Sequence, residues 1–352
     1  MEHRVVIVGF GGMGGGHAGI IKEFNIPGVE AVGVYDIREQ ALENARQKGL
    51  KAYESLDAVI DDKTVDMVVV ATPNNFHKDL SIKLLRGGKN VICEKPVALN
   101  AAELEEIIPV AKETGKVFVV HQNRRWDKSF LILKKIFDEK LLGRPYMIES
   151  RVQGSRRGLH GWRGYKINGG GMLYDWGVHL IDQLMWLIPE KVVEVYAQLF
   201  KVFSDEVDDN IKVVLRFESG LSALVEVAMN CFILQPRFHM SCADGTAVIQ
   251  NWECEGKMVK LSQEGELDWA EEIVYTAAGP TRSMAPRPPE TTTELPLPEV
   301  VRDRSVYYRN VVAAVEGREE LIVKPEQSLR VMKVIDAAFD SEKYGASIRV
   351  NV

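Results

Sequence analysis

Cysteine is scarce: 352 residues carry four thiols, Cys93, Cys231, Cys242 and Cys254, and no two of them form a C-x-x-C pair. That excludes a disulfide framework and fits a reducing compartment, so a cytoplasmic protein is expected. Cys231, His239 and Cys242 lack the ligand-pair spacing of a zinc site, and no metal is expected. No basic block or aromatic-interleaved stripe occurs and the net charge is −6, which argues against a nucleic-acid surface. Long apolar runs are missing too. None approaches the roughly 18 residues of a membrane span, and the opening run MEHRVVIVGF gives way to glycines after about six apolar residues, too short for a secretory signal. No internal repeat is visible.

What is present is ordinary for a globular chain: 46% hydrophobic and 27% charged residues, in a length that favours two domains. The boundary is placed at residues 121/122. In the first part, Val5–Val8, Ala31–Tyr35, Met67–Ala71, Asn90–Cys93 and Val117–Val120 read as strands buried on both faces, because they are continuous apolar runs. Helical patterns at Ile37–Lys48, Asp79–Leu85 and Ala101–Glu113 alternate with them, and Gly49, Gly87 and Gly115 are taken as left-handed helix caps. The expected fold class is α/β, a doubly wound parallel sheet followed by a second α/β domain on a large, mainly antiparallel open sheet. The second part, residues 122–352, reads as a helix at Ser129–Lys140, a strand at Pro145–Val152 and a helix at about Met172–Leu187. Long strands follow at Val192–Phe203, Ile211–Phe217, Leu221–Met229 and Thr246–Trp252, with Glu218-Ser219-Gly220 as a hairpin connection. Gly279–Pro298 holds six of the fourteen prolines and reads as an extended arm or surface loop. Two closing helices lie within about 302–341.

Gly9-Phe10-Gly11-Gly12-Met13-Gly14 follows the first strand and fits G-x-G-x-x-G. The first glycine permits a tight turn, the second lets backbone approach a pyrophosphate, and the third allows close helix packing. The next helix offers free N–H groups and a positive dipole end to phosphates. The second strand ends at Tyr35, and Asp36 lies 22 residues past Gly14, where an acidic side chain accepts from ribose hydroxyls. Asp36 repels a 2′-phosphate and favours NAD; Arg38, two residues on, attracts one, so NADP stays open.

Further motifs line up with this site. They are Ala71-Thr72-Pro73-Asn74 with His77, then Glu94-Lys95-Pro96, then Gly169-Gly170-Gly171 with Asp175, Gly177, His179 and Asp182. In that order, with Gly9-x-Gly11-x-x-Gly14-x-x-His17, the chain resembles the glucose–fructose oxidoreductase/inositol dehydrogenase/rhizopine-catabolism (Gfo/Idh/MocA) family over essentially its whole length. Asn123-Arg124-Arg125-Trp126-Asp127 is similar to a branch that includes scyllo-inositol dehydrogenases. The resemblance implies a dinucleotide site of Gly9–Gly14, Asp36, Ile37, Arg38, Thr72, Pro73, Asn74, His77, Glu94, Lys95 and Asn123. It also implies hydride transfer between nicotinamide and a ring carbinol of a sugar, cyclitol or glycoside, in a homo-oligomer (dimer or tetramer) formed through the C-terminal sheet.

Dehydrogenation of an alcohol needs a group that takes the hydroxyl proton near the carboxyl ends of the strands. The resemblance gives Lys95 the role of orienting the hydroxyl and lowering its pKa, and His179 that of proton acceptor, with Asp175 holding the imidazole or a substrate hydroxyl. Asp175, His179 and Asp182, four and three apart on the expected helix, share one face, opposite Leu173, Leu180, Leu184 and Leu187; such a trio also suits a metal-ligand set. Asn123, Arg124, Trp162, Arg163 and Tyr165 are candidate substrate contacts, whereas Trp126 and Trp186 suit packing. Two other readings stand beside the dehydrogenase: a redox-neutral oxidation–elimination of glycosides, and a non-catalytic dinucleotide sensor.

Overall fold

The computed structural model describes residues 3–24, 26–262, 273–282 and 288–352. The chain begins with β1 (His3–Val8), α1 (Gly12–Glu23), β2 (Val29–Tyr35), α2 (Glu39–Gln47), β3 (Lys51–Ala52) and α3 (Leu56–Asp61). It continues through β4 (Met67–Val70), α4 (His77–Arg86), β5 (Asn90–Cys93), α5 (Ala101–Thr114) and β6 (Phe118–Val120). The six strands form one parallel sheet in the order β3-β2-β1-β4-β5-β6. Val5–Val8 and Met67–Val70 are buried on both faces, as strands covered by helices on either side must be. Strand order reverses between β1 and β4, and a crevice opens outside the carboxyl ends of such a pair. The segments after β1, β4, β5 and β6 therefore share one rim: Gly9–Gly11, Ala71–Pro73, Glu94-Lys95 and His121–Asn123.

Next come α6 (Lys128–Asp138), β7 (Pro145–Gln153), α7 (Val178–Leu187), β8 (Val192–Phe200), β9 (Asn210–Phe217), β10 (Ser222–Ala228), β11 (Phe238–Cys242), β12 (Gly245–Ile249) and β13 (Gly256–Leu261). A hairpin of β14 (Ile273–Thr276) and β15 (Gly279–Arg282) stands apart. The chain closes with β16 (Thr292–Pro296), α8 (Val306–Val315), α9 (Pro325–Tyr344) and β17 (Ile348–Arg349). Nine strands make the second sheet, in the order β16-β13-β12-β11-β7-β10-β9-β8-β17, antiparallel except for β7 beside β10. Its strands alternate buried and exposed residues; β9 runs from half-buried Asn210 through buried Ile211 to exposed Lys212. α9 covers the inner face, and α8 returns to the parallel sheet, where Tyr307 Oη donates to the Val120 carbonyl at 3.1 Å. Among the described residues no helix is long and apolar enough to cross a membrane.

Three expectations are corrected. Gly87 has φ −72° and is not a left-handed cap; Gly88 takes that role with φ 81°. Gly87 serves packing instead, because a Cβ there would meet Ile60 Cγ2 at 2.7 Å. The proline-rich segment is not an arm throughout, since Thr292–Pro296 pairs with Gly256–Leu261 as the edge of the large sheet; residues 283–287 lie outside the described residues. The helix expected from Met172 begins as a π-turn at Leu173–Gly177, and regular α7 follows it. That wider turn carries one extra residue and changes what Asp175 meets.

Candidate active site

The dinucleotide end is made of backbone. A Cβ on Gly9 would lie 2.7 Å from the Ala71 carbonyl oxygen, and one on Gly14 only 2.0 Å from the Gly9 carbonyl oxygen. Both positions therefore exclude any side chain, and Gly9 also has φ +90°. Gly11 and Gly12 are different: a Cβ on Gly11 would have only Arg38 Nη2 near it, at 4.0 Å, and one on Gly12 nothing. Space is thus kept open at the start of α1, whose N-cap Gly11 offers no side chain to satisfy the first amides. This is a cradle for an anion of pyrophosphate shape, and the residues present fit a nicotinamide dinucleotide.

Asp36 is buried, and its carboxylate accepts from the Phe10 amide (2.7 Å) and the Arg38 amide (2.8 Å). Burial alone would raise its pKa; the Arg38 guanidinium and the two amides outweigh that and hold it below the ordinary value. Arg38 Nε and Nη2 reach the same carboxylate at 3.1 and 3.2 Å. A cleft of about 650 Å³ opens beside it, lined by Phe10, Gly11, Gly15, Arg38, Asn44 and Lys48. Ile37 and Met13 are exposed.

Two other expected dinucleotide residues turn inward. His77 is fully buried and both ring nitrogens contact carbonyls, Nδ1 that of Pro96 (2.8 Å) and Nε2 that of Thr72 (2.9 Å). It braces the turn that carries Lys95 and has no ring nitrogen left for a ligand. Glu94 also points inside, where Oε1 accepts from His17 Nε2 (2.8 Å) and His121 Nδ1 (2.7 Å), while His17 Nδ1 meets Tyr308 Oη. Burial would raise the Glu94 pKa, but the two imidazoles hold it well below the carboxylate range. Among the described residues these three side chains, His17, Glu94 and His121, are the ones whose ligand atoms gather within 4.8 Å, and they are already hydrogen-bonded to one another. Asn74, also buried, donates to the Gly169 carbonyl at 2.7 Å and so ties the two sheets' loops together.

The other end of the crevice is made of side chains. Lys95 follows β5, and its ammonium donates to Asp175 Oδ1 (2.9 Å) and to the Asp175 carbonyl (2.8 Å). The carbonyl lies in the π-turn, Leu173–Gly177, and a backbone carbonyl has two lone pairs with which to accept. Arg163 Nε also reaches Asp175 Oδ1, at 3.1 Å. Burial would raise the Asp175 pKa; the two cations reverse that and keep it ionised.

His179, in the first turn of α7, is 5% exposed and sets Nδ1 3.3 Å from Gln122 Oε1. Burial, reinforced by the Lys95 and Arg124 charges, holds the imidazole well below its ordinary value, so it is neutral at neutral pH. Its partner is Gln122 and not Asp175, which the π-turn directs to Lys95 and Arg163. Asp182 leaves the expected polar face altogether. It is buried in a two-pronged ion pair with Arg125, at 2.8 and 2.6 Å.

Arg124 stacks over the Trp176 ring (4.6 Å) and near Trp252 (5.6 Å), and Trp176 lies 5.9 Å from the His179 ring. Trp162 lies under the Arg163 guanidinium at 4.6 Å, and Tyr165 is exposed. Trp126 and Trp186 pack against each other at 6.4 Å. Sequence reasoning missed Gln122, Trp176 and Trp252. Gln122 had a signal in its place directly after the last parallel strand; Trp252, in a turn after β12, had none.

The chain matches the model of an oxidoreductase family with an NAD-binding Rossmann fold over residues 3–122, and the GFO/IDH/MocA C-terminal domain over residues 130–248. It is 32% identical to an inositol 2-dehydrogenase of Salmonella typhimurium over 237 residues, 66% of this chain and 68% of that protein. An NADP-dependent scyllo-inositol 2-dehydrogenase of Bacillus subtilis is 26% identical over 292 residues, covering 82% of each chain. Among solved structures, an NAD-binding protein from Listeria innocua superposes with a TM-score of 0.92 at 40% identity, over 99% of both chains.

Proposed function

Because this chain belongs to the Gfo/Idh/MocA family of NAD-binding oxidoreductases, we propose that it oxidises or reduces a ring carbinol of a sugar, cyclitol or glycoside. In this reading residues 1–121 hold the dinucleotide and residues 122–352 supply the substrate side. Bound nicotinamide supplies the hydride acceptor or donor; NAD is preferred over NADP because Asp36 stands where a 2′-phosphate would sit. The observation that carries the reading is that Lys95, after β5 at the rim where strand order reverses, meets Asp175 on the helical stretch that also carries His179, whose imidazole feels the Lys95 charge.

Lys95, fixed by two bonds to Asp175, directs a positive charge at the substrate hydroxyl and stabilises the alkoxide that forms as its proton leaves. Neutral His179 receives that proton. With Nδ1 against the Gln122 oxygen, an acceptor only, the ring proton stays on Nδ1 and Nε2 is the basic atom. Asp175 balances Lys95 and Arg163, so three charged groups remain aligned around the reacting carbon. Asn123, Arg124, Trp162, Arg163 and Tyr165 contact the ring, with guanidinium donors for its oxygens and indole faces for its C–H surface. A homo-oligomer through the outer face of the second sheet, where Tyr196 and Phe200 are exposed, belongs to the same proposal; sedimentation as a monomer would remove it.

The test is nicotinamide absorbance with purified protein and NAD or NADP across inositols, hexoses, hexose acids and glycosides. Reduction of the dinucleotide with one group names the substrate class. Release of an aglycone without net reduction would replace the dehydrogenase with the oxidation–elimination reading. Dinucleotide binding without either reaction would leave a sensor.

A further inference from the structure

The crevice around His179 holds more positive than negative charge. Lys95, Arg124 and Arg163 stand near the reacting position, and Asp175 is the carboxylate that answers Lys95 and Arg163. Arg124 reaches Asp127 at 3.3 Å, but Asp127 is shared with Arg302 (3.1 Å) and Arg237 (3.7 Å). With Glu94, whose carboxylate also acts on His179, five cations stand against three carboxylates. The chain as a whole is acidic, at −6, yet from Ser150 to Tyr174 it contains no Asp or Glu. Of the cations in that segment, Arg151 is paired with Glu149 and Glu226, Lys166 stands beside Glu206, and Arg163 is the one that reaches Asp175.

A neutral polyol needs no such surplus. Cations drawn partly out of water without countercharge cost free energy that a polyhydroxylated ring does not return. The surplus is not needed by the dinucleotide phosphates either, for which the amides at the start of α1 are the donors. Both key arginines are also pre-set for a planar or tetrahedral oxyanion. Arg124 is oriented by the Trp176 and Trp252 faces and by Gln183, which donates to the Arg124 carbonyl at 2.5 Å. Arg163 lies on Trp162. Each spends one nitrogen on a carboxylate, and its other N–H groups have no carboxylate partner among the described residues. Arg is the side chain that grips carboxylate or phosphate through two parallel bonds.

We propose that the ring substrate is anionic, a sugar acid or a sugar phosphate, whose charged group is held by Arg124 at the His179 end of the crevice and Arg163 at the Asp175 end. This rests on the hydride-transfer reading and narrows it.

The experiment compares matched pairs with NAD: glucose against glucuronate and galactose against galacturonate for carboxylate, glucose against its terminal phosphate ester for phosphate. In at least one arm, kcat/KM is expected to be about ten- to hundredfold higher for the charged member, chiefly through KM, and to fall with added salt. The arm that responds identifies the anion. Arg124→Gln and Arg163→Gln should each reduce the charged-to-neutral ratio about tenfold, and NAD binding followed by tryptophan fluorescence verifies that each variant is folded. A ratio near one in both arms, or a ratio that neither variant changes, overturns the proposal and leaves hydride transfer to neutral rings standing. If no ring alcohol of either charge is oxidised, the hydride-transfer reading fails. Tryptophan fluorescence titrated with glucuronate against glucose then judges anion binding by itself: preference for glucuronate that Arg124→Gln abolishes supports it, and absence of preference overturns it.

Discussion

The two ends of the crevice are built by different means. At the dinucleotide end, consecutive backbone does the work: Gly9 and Gly14 leave no room for a Cβ, and Gly11 and Gly12 face open space. At the hydroxyl end, side chains do it, and they come from several segments: Lys95, Gln122, Arg163, and Asp175 with His179 on one helical stretch. The first end needs only β1, α1, the tip of β2 and the turn after β4 to fold correctly. The second needs both sheets in register with each other, which the Asn74–Gly169 bond and the buried Arg125–Asp182 pair help to maintain. Capture of the dinucleotide and chemistry on the substrate should therefore be separable by substitution.

The strongest test of that separation is His179→Ala. Loss of a positioned proton acceptor should lower kcat by about a hundredfold to ten-thousandfold, while NAD binding, measured by calorimetry, stays near wild type. Comparable loss of NAD affinity would mean that the two ends are one unit. Gly14→Ala tests the opposite end. Its new Cβ would press on the Gly9 carbonyl, an atom of backbone that cannot swing aside. We expect a strain of about 1–3 kcal/mol, read as roughly a ten- to hundredfold weaker NAD complex with a lower melting temperature. Gly12→Ala, whose Cβ would touch nothing in the protein, is the matched control for the melting temperature. Equal losses of melting temperature from the two alanines would contradict a steric origin of the strain.

The same contrast explains what could be read in the sequence. The tight turn at Gly9 and Gly14 was legible because it depends on neighbours in the chain. Five of the six parallel strands were legible because burial on both faces leaves continuous apolar runs; the two-residue edge strand β3 leaves none. Lys95, Asp175 and His179 were placed by family resemblance, since nothing in local pattern fixes which distant groups meet. Helical periodicity put Asp182 beside Asp175 and His179. The π-turn at Leu173–Gly177 breaks that periodicity, and Arg125, 57 residues earlier in the chain, takes Asp182 into the interior. Proline content misled at Thr292–Pro296, because an edge strand with one partner tolerates a terminal proline such as Pro296.

The smallest expected effect sharpens the comparison most finely, because Asp36 is the one side chain on which the dinucleotide end depends. It performs two tasks: it braces the Gly9–Phe10 turn through the Phe10 amide and it pins Arg38. Asp36→Ser keeps a hydroxyl for the turn but removes the charge and the paired acceptor oxygens. NAD should bind about tenfold more weakly, since exchanging a charged hydrogen bond for a neutral one costs about 1–1.5 kcal/mol. NADP should bind more tightly, because the repulsion is gone and the released Arg38 guanidinium can meet a 2′-phosphate. Calorimetry with both dinucleotides on wild type and variant gives the ratio directly. If the ratio does not move, Asp36 is a brace alone, and this end of the crevice selects its ligand through backbone without help from any charge.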